Sequence, residues 1–442
     1  MTDASAPRSP LLPTRRGFLL GAASLGAATA VTALPATAAQ AAPPAAVPAP
    51  ARSVPAAARR PVGRSFVTTD RGKFTVDGST FRFGGTNTYY LHQRSHYMIN
   101  AALNDAAAMS LAVVRAWAFA DGPNNDHPLQ PNPYEYDEDA FDSLDYTVWQ
   151  AGQLGLRLVL TLTNNWPDYG GMPQYVTWFL GLPNDVYDTA VNHDKFYTTA
   201  SIKKCYKAYV KHVIRRRNRY TGLRYCEDPT IMTFELANEP RNRSDKTGAA
   251  VLSWVAEMSA YVKALAPRQL VAVGDEGFYG DAANPDYPYS NYEGNQWRKF
   301  LALPHVDYGT VHLYPGSWGE TPASKPGTDP VVWGTKWIND HLDDGARLGK
   351  PVVLEEYGLQ VNAGQGIPDE AGRDAGYRAW TAAVEARGAG DQFWLLTSRV
   401  DDGSFYPDYD GFRIIWDNDP SNPTNSTAQL LSAHAKAMAA ST

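Results

Sequence analysis

Two acidic residues stand at the ends of two apolar runs, where their type and placement suit the breaking of a glycosidic bond. The run PTIMTFELANEPR at 229–241 is apolar and β-branched until it reaches Asn238, Glu239 and Pro240. Proline cannot donate to a sheet ladder, so a strand carrying this run must end there. A second run, PVVLEEYG at 351–358, ends on Glu355 and Glu356. Parallel α/β folds build their sites at the carboxyl ends of strands. Two buried strands that each bring a carboxylate to that end suggest a glycosidase pair, one group protonated and one ionised. Strand-end glutamates also serve as helix caps or surface charges. Two such ends in one chain favour the pair.

Holding the pair requires alternating strands and helices, and the chain supplies them. Strands are predicted at 81–90, ending in Asn87, Tyr89 and Tyr90; at 111–119, carrying Arg115 and Trp117; and at 156–163, ending at Trp166. The Glu239 run is the fourth. The fifth is 269–274, ending at Asp275 and Glu276, and the sixth 306–315, carrying His312 and Tyr314. The Glu356 run is the seventh and 391–397, with Trp394, the eighth. Helical spacing at 98–110, 140–154, 201–220 and 428–440 falls between and after them. These elements predict a single (β/α)8 TIM barrel over 64–442, with catalytic Glu at the ends of strands 4 and 7. The segment 167–194 is expected to be a loop walling the cleft, and the IRRRNR run at 214–219 a helix end with solvated arginines.

A chain of 442 residues, 44% hydrophobic, can bury a large core. Its formal net charge of −6 argues against nucleic acid or an anionic membrane as partner. The 12 Trp and 25 Tyr suit either a sugar-binding cleft or a large core and decide little alone. Cys205 and Cys226 are the two cysteines; with no Cys/His grouping at metal spacing, neither a metal nor another cofactor is expected. Export permits a Cys205–Cys226 bridge, which is favoured over two buried free thiols. TRRGFLL at 14–20, followed by a small-residue apolar stretch, resembles a twin-arginine export signal. A signal over 1–42 and a Pro/Ala-rich linker over 43–63 are therefore expected, with the protein secreted, monomeric and free of the membrane after cleavage.

The motifs LANEP at 236–240 and LEEYG at 354–358 make the chain similar to glycoside hydrolase family 5. Within it, VVRAWAF, TNNWPDYGG, ELANEPR, GDEGF, VHLYP and PDYDGF resemble the endo-β-1,4-mannanases of the actinobacterial and fungal type. The resemblance implies that Glu356 is the nucleophile and Glu239 the acid/base of a retaining hydrolase of β-1,4-linked mannan, glucomannan and galactomannan. It also implies that Arg115 and Tyr314 hold Glu356 ionised, and that Asn238 binds the sugar 2-OH. His312 would line the same subsite and Trp394 form its floor. Trp117 would serve the glycone side, and Trp166, Arg241 and Glu276 the aglycone side. Strand alternation turns Glu355 away from its neighbour, toward the helices or an ion pair. The same parity turns Glu235 into the barrel with Glu239, where an unpaired charge would be costly, so it needs a partner such as Arg115. A β-1,4-glucanase of the same family would share both glutamates. A non-catalytic carbohydrate-binding barrel would be marked by the loss of one.

Overall fold

A computed structural model describes residues 60–417, 419 and 422–441. The expected signal over 1–42 and most of the expected linker over 43–63 lie outside the described residues. Eight parallel strands form one sheet: β1 (Phe83–Asn87), β2 (Val113–Trp117), β3 (Arg157–Thr161), β4 (Ile231–Glu235), β5 (Leu270–Ala272), β6 (Gly309–Leu313), β7 (Val352–Tyr357) and β8 (Gly390–Phe393). Their order is β5-β4-β3-β2-β1-β8-β7-β6. The seam between β5 and β6 is joined not by a ladder but by single bonds: Asp307 N–H to the Val271 carbonyl at 2.8 Å and His312 N–H to the Glu276 carbonyl at 3.1 Å. The barrel is thus nearly closed. All eight strands are fully buried, as parallel strands covered by helices must be.

The helices are α1 (His96–Ala108), α2 (Phe141–Gln153), α3 (Gly171–Leu180), α4 (Ala200–Arg215), α5 (Ala249–Leu265), α6 (Trp297–Leu301), α7 (Pro330–Leu348), α8 (Glu370–Arg387) and α9 (Asn425–Ala440). No helix among the described residues is long and apolar enough to cross a membrane. Asp329 caps α7 by accepting from the Val331 and Val332 amides, with Pro330 beginning the helix where a missing N–H costs nothing. α9 packs so closely on β1 that a Cβ at Gly84 would lie 2.9 Å from Cα of Ala435.

Three expectations are corrected, and one element was not anticipated. The segment 167–194 is not simply a loop, since α3 lies within it, begun by Gly170 and Gly171 at positive φ. Helix α4 stops at Arg215, and Arg216 turns inward instead of toward solvent: it is buried against Asp145 and Glu138. Cys205 and Cys226 are free and both buried, the first on the packed face of α4 and the second in a short turn beyond it. Finally, a three-stranded antiparallel sheet (Thr68–Asp70, Lys73–Val76, Ser79–Phe81) precedes β1. Its Phe74 is wholly buried against Phe83 and Tyr308, in the same cluster as Val113, Val159, Met232 and Val353 of the barrel. Burying such a side chain contributes about 1.5–3 kcal/mol.

Candidate active site

Glu239 does not lie on a regular strand. β4 ends at Glu235, and the chain then runs on beside its neighbours through single bonds: Asn238 N–H to the Thr163 carbonyl at 2.8 Å and Glu239 N–H to the Gly274 carbonyl at 2.7 Å. Pro240 disfavours the ordinary helical conformation for the residue before it, and Glu239 takes a left-handed φ of 51°. A non-glycine residue there costs about 1–2 kcal/mol, which the surroundings must offset. Part of that surrounding is Gly274, where a Cβ would come within 2.1 Å of the Ala237 carbonyl oxygen.

Glu356 reaches the site through a β-bulge. β7 pairs Leu354 with Val311 but Glu356 with His312, leaving Glu355 as the extra residue. The side chains of Val352 and Leu354 line a small apolar cavity with Ile338 and Leu342 of α7, while Val353 faces the barrel interior. Unbroken alternation from that start would put Glu355 inside and Glu356 outside. The bulge brings both inside, so Glu355 does not turn away from its neighbour toward the helices; the ion pair expected as the alternative is present, with Arg115. Glu355 lies fully buried beneath its neighbour, 3.7 Å from Nε of Arg115 and 3.6 Å from Nε2 of His312.

The floor of the site is a network around Arg115, which is fully buried. Its Nη1 donates to Glu356 at 2.5 Å and to Asn87 at 3.0 Å. Its Nη2 donates to Asn238 at 2.8 Å and to Glu235 at 2.7 Å, with Nε completing the fork on Glu235. Glu235 also accepts from Thr161 at 2.8 Å, so the buried charge has the partner its parity demanded. Tyr314 OH donates to the second oxygen of Glu356 at 2.8 Å. Glu356 thus has a guanidinium on one oxygen and a phenol on the other.

Glu239 has different neighbours. Trp166 Nε1 donates to one of its oxygens at 2.6 Å, and Nδ1 of His312 lies 3.0 Å from the other. Burial opposes the charge of His312, but Glu356, Glu239 and Glu355 outweigh it and hold the imidazole well above its usual range. Oxygens of Glu239 and Glu356 lie within 4.8 Å of each other, with His312 Nδ1 in the same group. Among the described residues this trio is the one grouping of acidic and His donors tight enough for a cation. Its atoms are committed to one another and to the Arg115 charge, so the chemistry it fits is proton transfer.

The two ends of the cleft differ. On one side Trp394 stacks on Tyr89 at 5.3 Å and 8°, with Trp117 at 6.3 Å, and its indole N–H donates to Asp410 at 2.7 Å. On the other, Trp166 stacks on Tyr187 at 5.5 Å, and the Arg241 guanidinium lies 4.9 Å above the Trp166 ring. Arg241 makes a two-point bond to Glu276 at 2.6 and 2.7 Å and another to Glu293 at 3.0 Å. All eleven site residues expected from the sequence lie around this one mouth; nine of them are buried, and Trp166 and Trp394 keep part of their rings exposed. Sequence reasoning missed Glu293, Tyr287 and Asp410, which come from irregular loops, and gave no role to Asn87, whose position at a strand tip was the available signal.

Comparison with known proteins agrees with this geometry. The family described as GH family 5 β-mannosidase-like matches residues 64–394. Mannan endo-1,4-β-mannosidase 1 of Solanum lycopersicum is 35% identical over 390 residues, covering 85% of this chain and 92% of its own. The structure of the endo-β-1,4-mannanase from Thermotoga petrophila is 40% identical with a TM-score of 0.72, covering 83% of this chain and 78% of its own. That of the endo-1,4-β-mannanase from Rhizomucor miehei is 34% identical with a TM-score of 0.73, covering 85% and 100%. With this family matched over three quarters of its length and relatives of 34–40% identity, this chain belongs to glycoside hydrolase family 5, in its β-mannosidase-like group.

Proposed function

We propose that the protein is a retaining endo-hydrolase of β-1,4-mannosidic linkages in mannan, glucomannan and galactomannan. The observation that carries the mechanism is the separation of the two carboxylates, whose oxygens come within 4.8 Å. Retaining enzymes hold their carboxyl groups about 5–5.5 Å apart, and inverting ones about 6.5–9.5 Å apart to admit a water. Substrate choice is supported by likeness, over 83–85% of the chain, to mannan endo-1,4-β-mannosidases and endo-β-1,4-mannanases.

Glu356, ionised beside Arg115 and Tyr314, attacks the anomeric carbon. The bond from that carbon to the leaving O4 breaks as Glu239 gives its proton to O4, leaving a mannosyl ester on Glu356. A water then loses a proton to Glu239 and attacks the same carbon, which frees Glu356 and restores the original configuration. Asn238 accepts from Arg115 and donates one amide hydrogen to Asn164 at 3.0 Å, which leaves the other for the sugar 2-OH. Trp394 supplies an apolar ring for the glycone sugar, and Trp166 one for the aglycone.

Hydrolysis of mannan beside carboxymethyl cellulose, with the new reducing ends followed by NMR, tests this reading. Internal cleavage of mannan giving β-configured ends first is expected. Release of α ends first, of mannose alone, or faster attack on the cellulose derivative would contradict it. Secretion by the twin-arginine route is part of the same proposal and rests on the Arg15–Arg16 pair. Arg15→Lys with Arg16→Lys should abolish export, and undiminished export would reject that route.

A further inference from the structure

The mechanism leaves Glu355 without a task, yet this acid lies directly under it. Glu355 is near two cations, and they are not equally in need of it. Arg115 has committed Nε and Nη2 to Glu235 and its remaining hydrogens to Asn87, Glu356 and Asn238. His312 has committed Nδ1 to Glu239, while its buried Nε2 has no partner at bonding distance, nor has either carboxyl oxygen of Glu355. The two unpartnered groups face each other at 3.6 Å. Hydrogen bonds that serve catalysis are often long before substrate binds and tighten afterwards.

We propose that Glu355 is a positioning residue for acid catalysis: lying against Nε2 of His312, it fixes the imidazole so that Nδ1 stays on Glu239, and thereby governs departure of the leaving group. The proposal rests on the assignment of Glu239 as acid/base. Either form of Glu355 can serve, since Nε2–H of the imidazolium can donate to a carboxylate oxygen or to the carbonyl oxygen of a carboxylic acid. Burial, followed by the charge of Glu235, pushes its carboxyl up to about 8 against the opposing Arg115 and His312. A neutral group of the same shape should therefore replace it, and an apolar one should not.

The test compares Glu355→Leu, Glu355→Gln and Glu239→Ala on mannohexaose and on 2,4-dinitrophenyl β-mannobioside, whose leaving group needs no proton. Melting temperatures confirm that each variant is folded at the assay temperature. Glu355→Leu should lose about 100-fold in kcat/KM on mannohexaose, mainly in kcat, as loss of acid assistance predicts. On the activated substrate its kcat/KM should stay within about threefold of the parent. Glu355→Gln should stay close to the parent on both. A parallel fall on both substrates, a Leu variant that keeps its mannohexaose activity, or a Gln variant no better than Leu would overturn the proposal. If the Leu variant does not fold, Glu355→Asp, which withdraws the carboxyl from Nε2, carries the same expectation. Glu239→Ala separates the two levels: without its own selective loss on mannohexaose, the acid/base assignment fails, whatever Glu355 does.

Discussion

Arg115 and Arg216 are both buried arginines that grip a buried acid with two nitrogens, yet they sit in different kinds of place. Arg216, at the outer end of α4, meets Asp145 at 2.8 and 2.9 Å and Glu138 at 2.5 Å, with its guanidinium 4.4 Å over the ring of Phe141. Tyr225 OH completes Asp145 at 2.8 Å. The cluster ties α4 to α2 and has no face toward the cleft. Arg115 grips Glu235 in the same manner but also holds Glu356, Asn87 and Asn238, and two of those reach the mouth. One network is closed on itself; the other ends on groups at the mouth of the barrel. Ion-pair geometry alone therefore does not mark a site. An open end does.

The sharpest way to break this comparison is to remove each arginine in turn. Arg115→Met should lower kcat/KM on mannan by at least about a thousandfold, because Glu356 loses its charge partner as well as its orientation. Pairing it with Glu235→Gln should recover stability but not activity. Arg216→Met leaves Asp145 buried and uncompensated, an expected cost of about 3–5 kcal/mol in stability with kcat unchanged. Replacing both members, Arg216→Met with Asp145→Leu, should recover much of that loss. Denaturant unfolding and mannan kinetics on the four variants decide the matter, and a large kcat effect from Arg216→Met would erase the distinction.

A third buried pair sharpens the comparison by pH. His434 of α9 lies 2.5 Å from Asp391 and 2.7 Å from Glu385, and against burial these acids hold its imidazole up to about 9. A folded value above the unfolded one means the contribution is fully present below about 6.5 and lost as pH rises through about 9. The span corresponds to roughly 3 kcal/mol. His434→Gln should flatten the alkaline fall in stability between those limits, and an unchanged fall would remove His434 from the account. The smallest effect is expected from Trp166→Phe, which keeps a ring for the aglycone sugar but loses the bond to Glu239. A reduction of about tenfold in kcat/KM on mannan is expected, in line with the loss of one hydrogen bond.

Much of the barrel was legible because proline and strand-end polar residues punctuate buried strands. Asn238 and Glu239 could be placed for that reason, and the need of Glu235 for a partner followed from parity. Glu356 was legible only through family resemblance. The pattern from Val352 to Leu354 points Glu355 inward, and the bulge that admits Glu356 as well depends on pairing with β6, which one strand's sequence does not reveal. The N-terminal sheet carried a signal that went unused, the Asp77–Gly78 pair between two short β runs, with both residues at positive φ. The aglycone cluster was half visible. Arg241 and Glu276 end strands, but Glu293 and Tyr287 lie in an aperiodic loop, and only the fold brings them to Arg241.

The central claim, that Glu356 attacks while Glu239 handles the proton, is tested most directly by azide trapping on 2,4-dinitrophenyl β-mannobioside. Glu356→Ala opens the attacking face, so azide should enter there and give an α-mannosyl azide product. Glu239→Ala keeps the nucleophile, so the covalent ester forms and azide should resolve it from the opposite face as the β-azide. Both variants should be nearly inactive on mannan itself. The account predicts these two anomers in these two variants; azides of exchanged configuration, or a fully active Glu356→Ala, would contradict it.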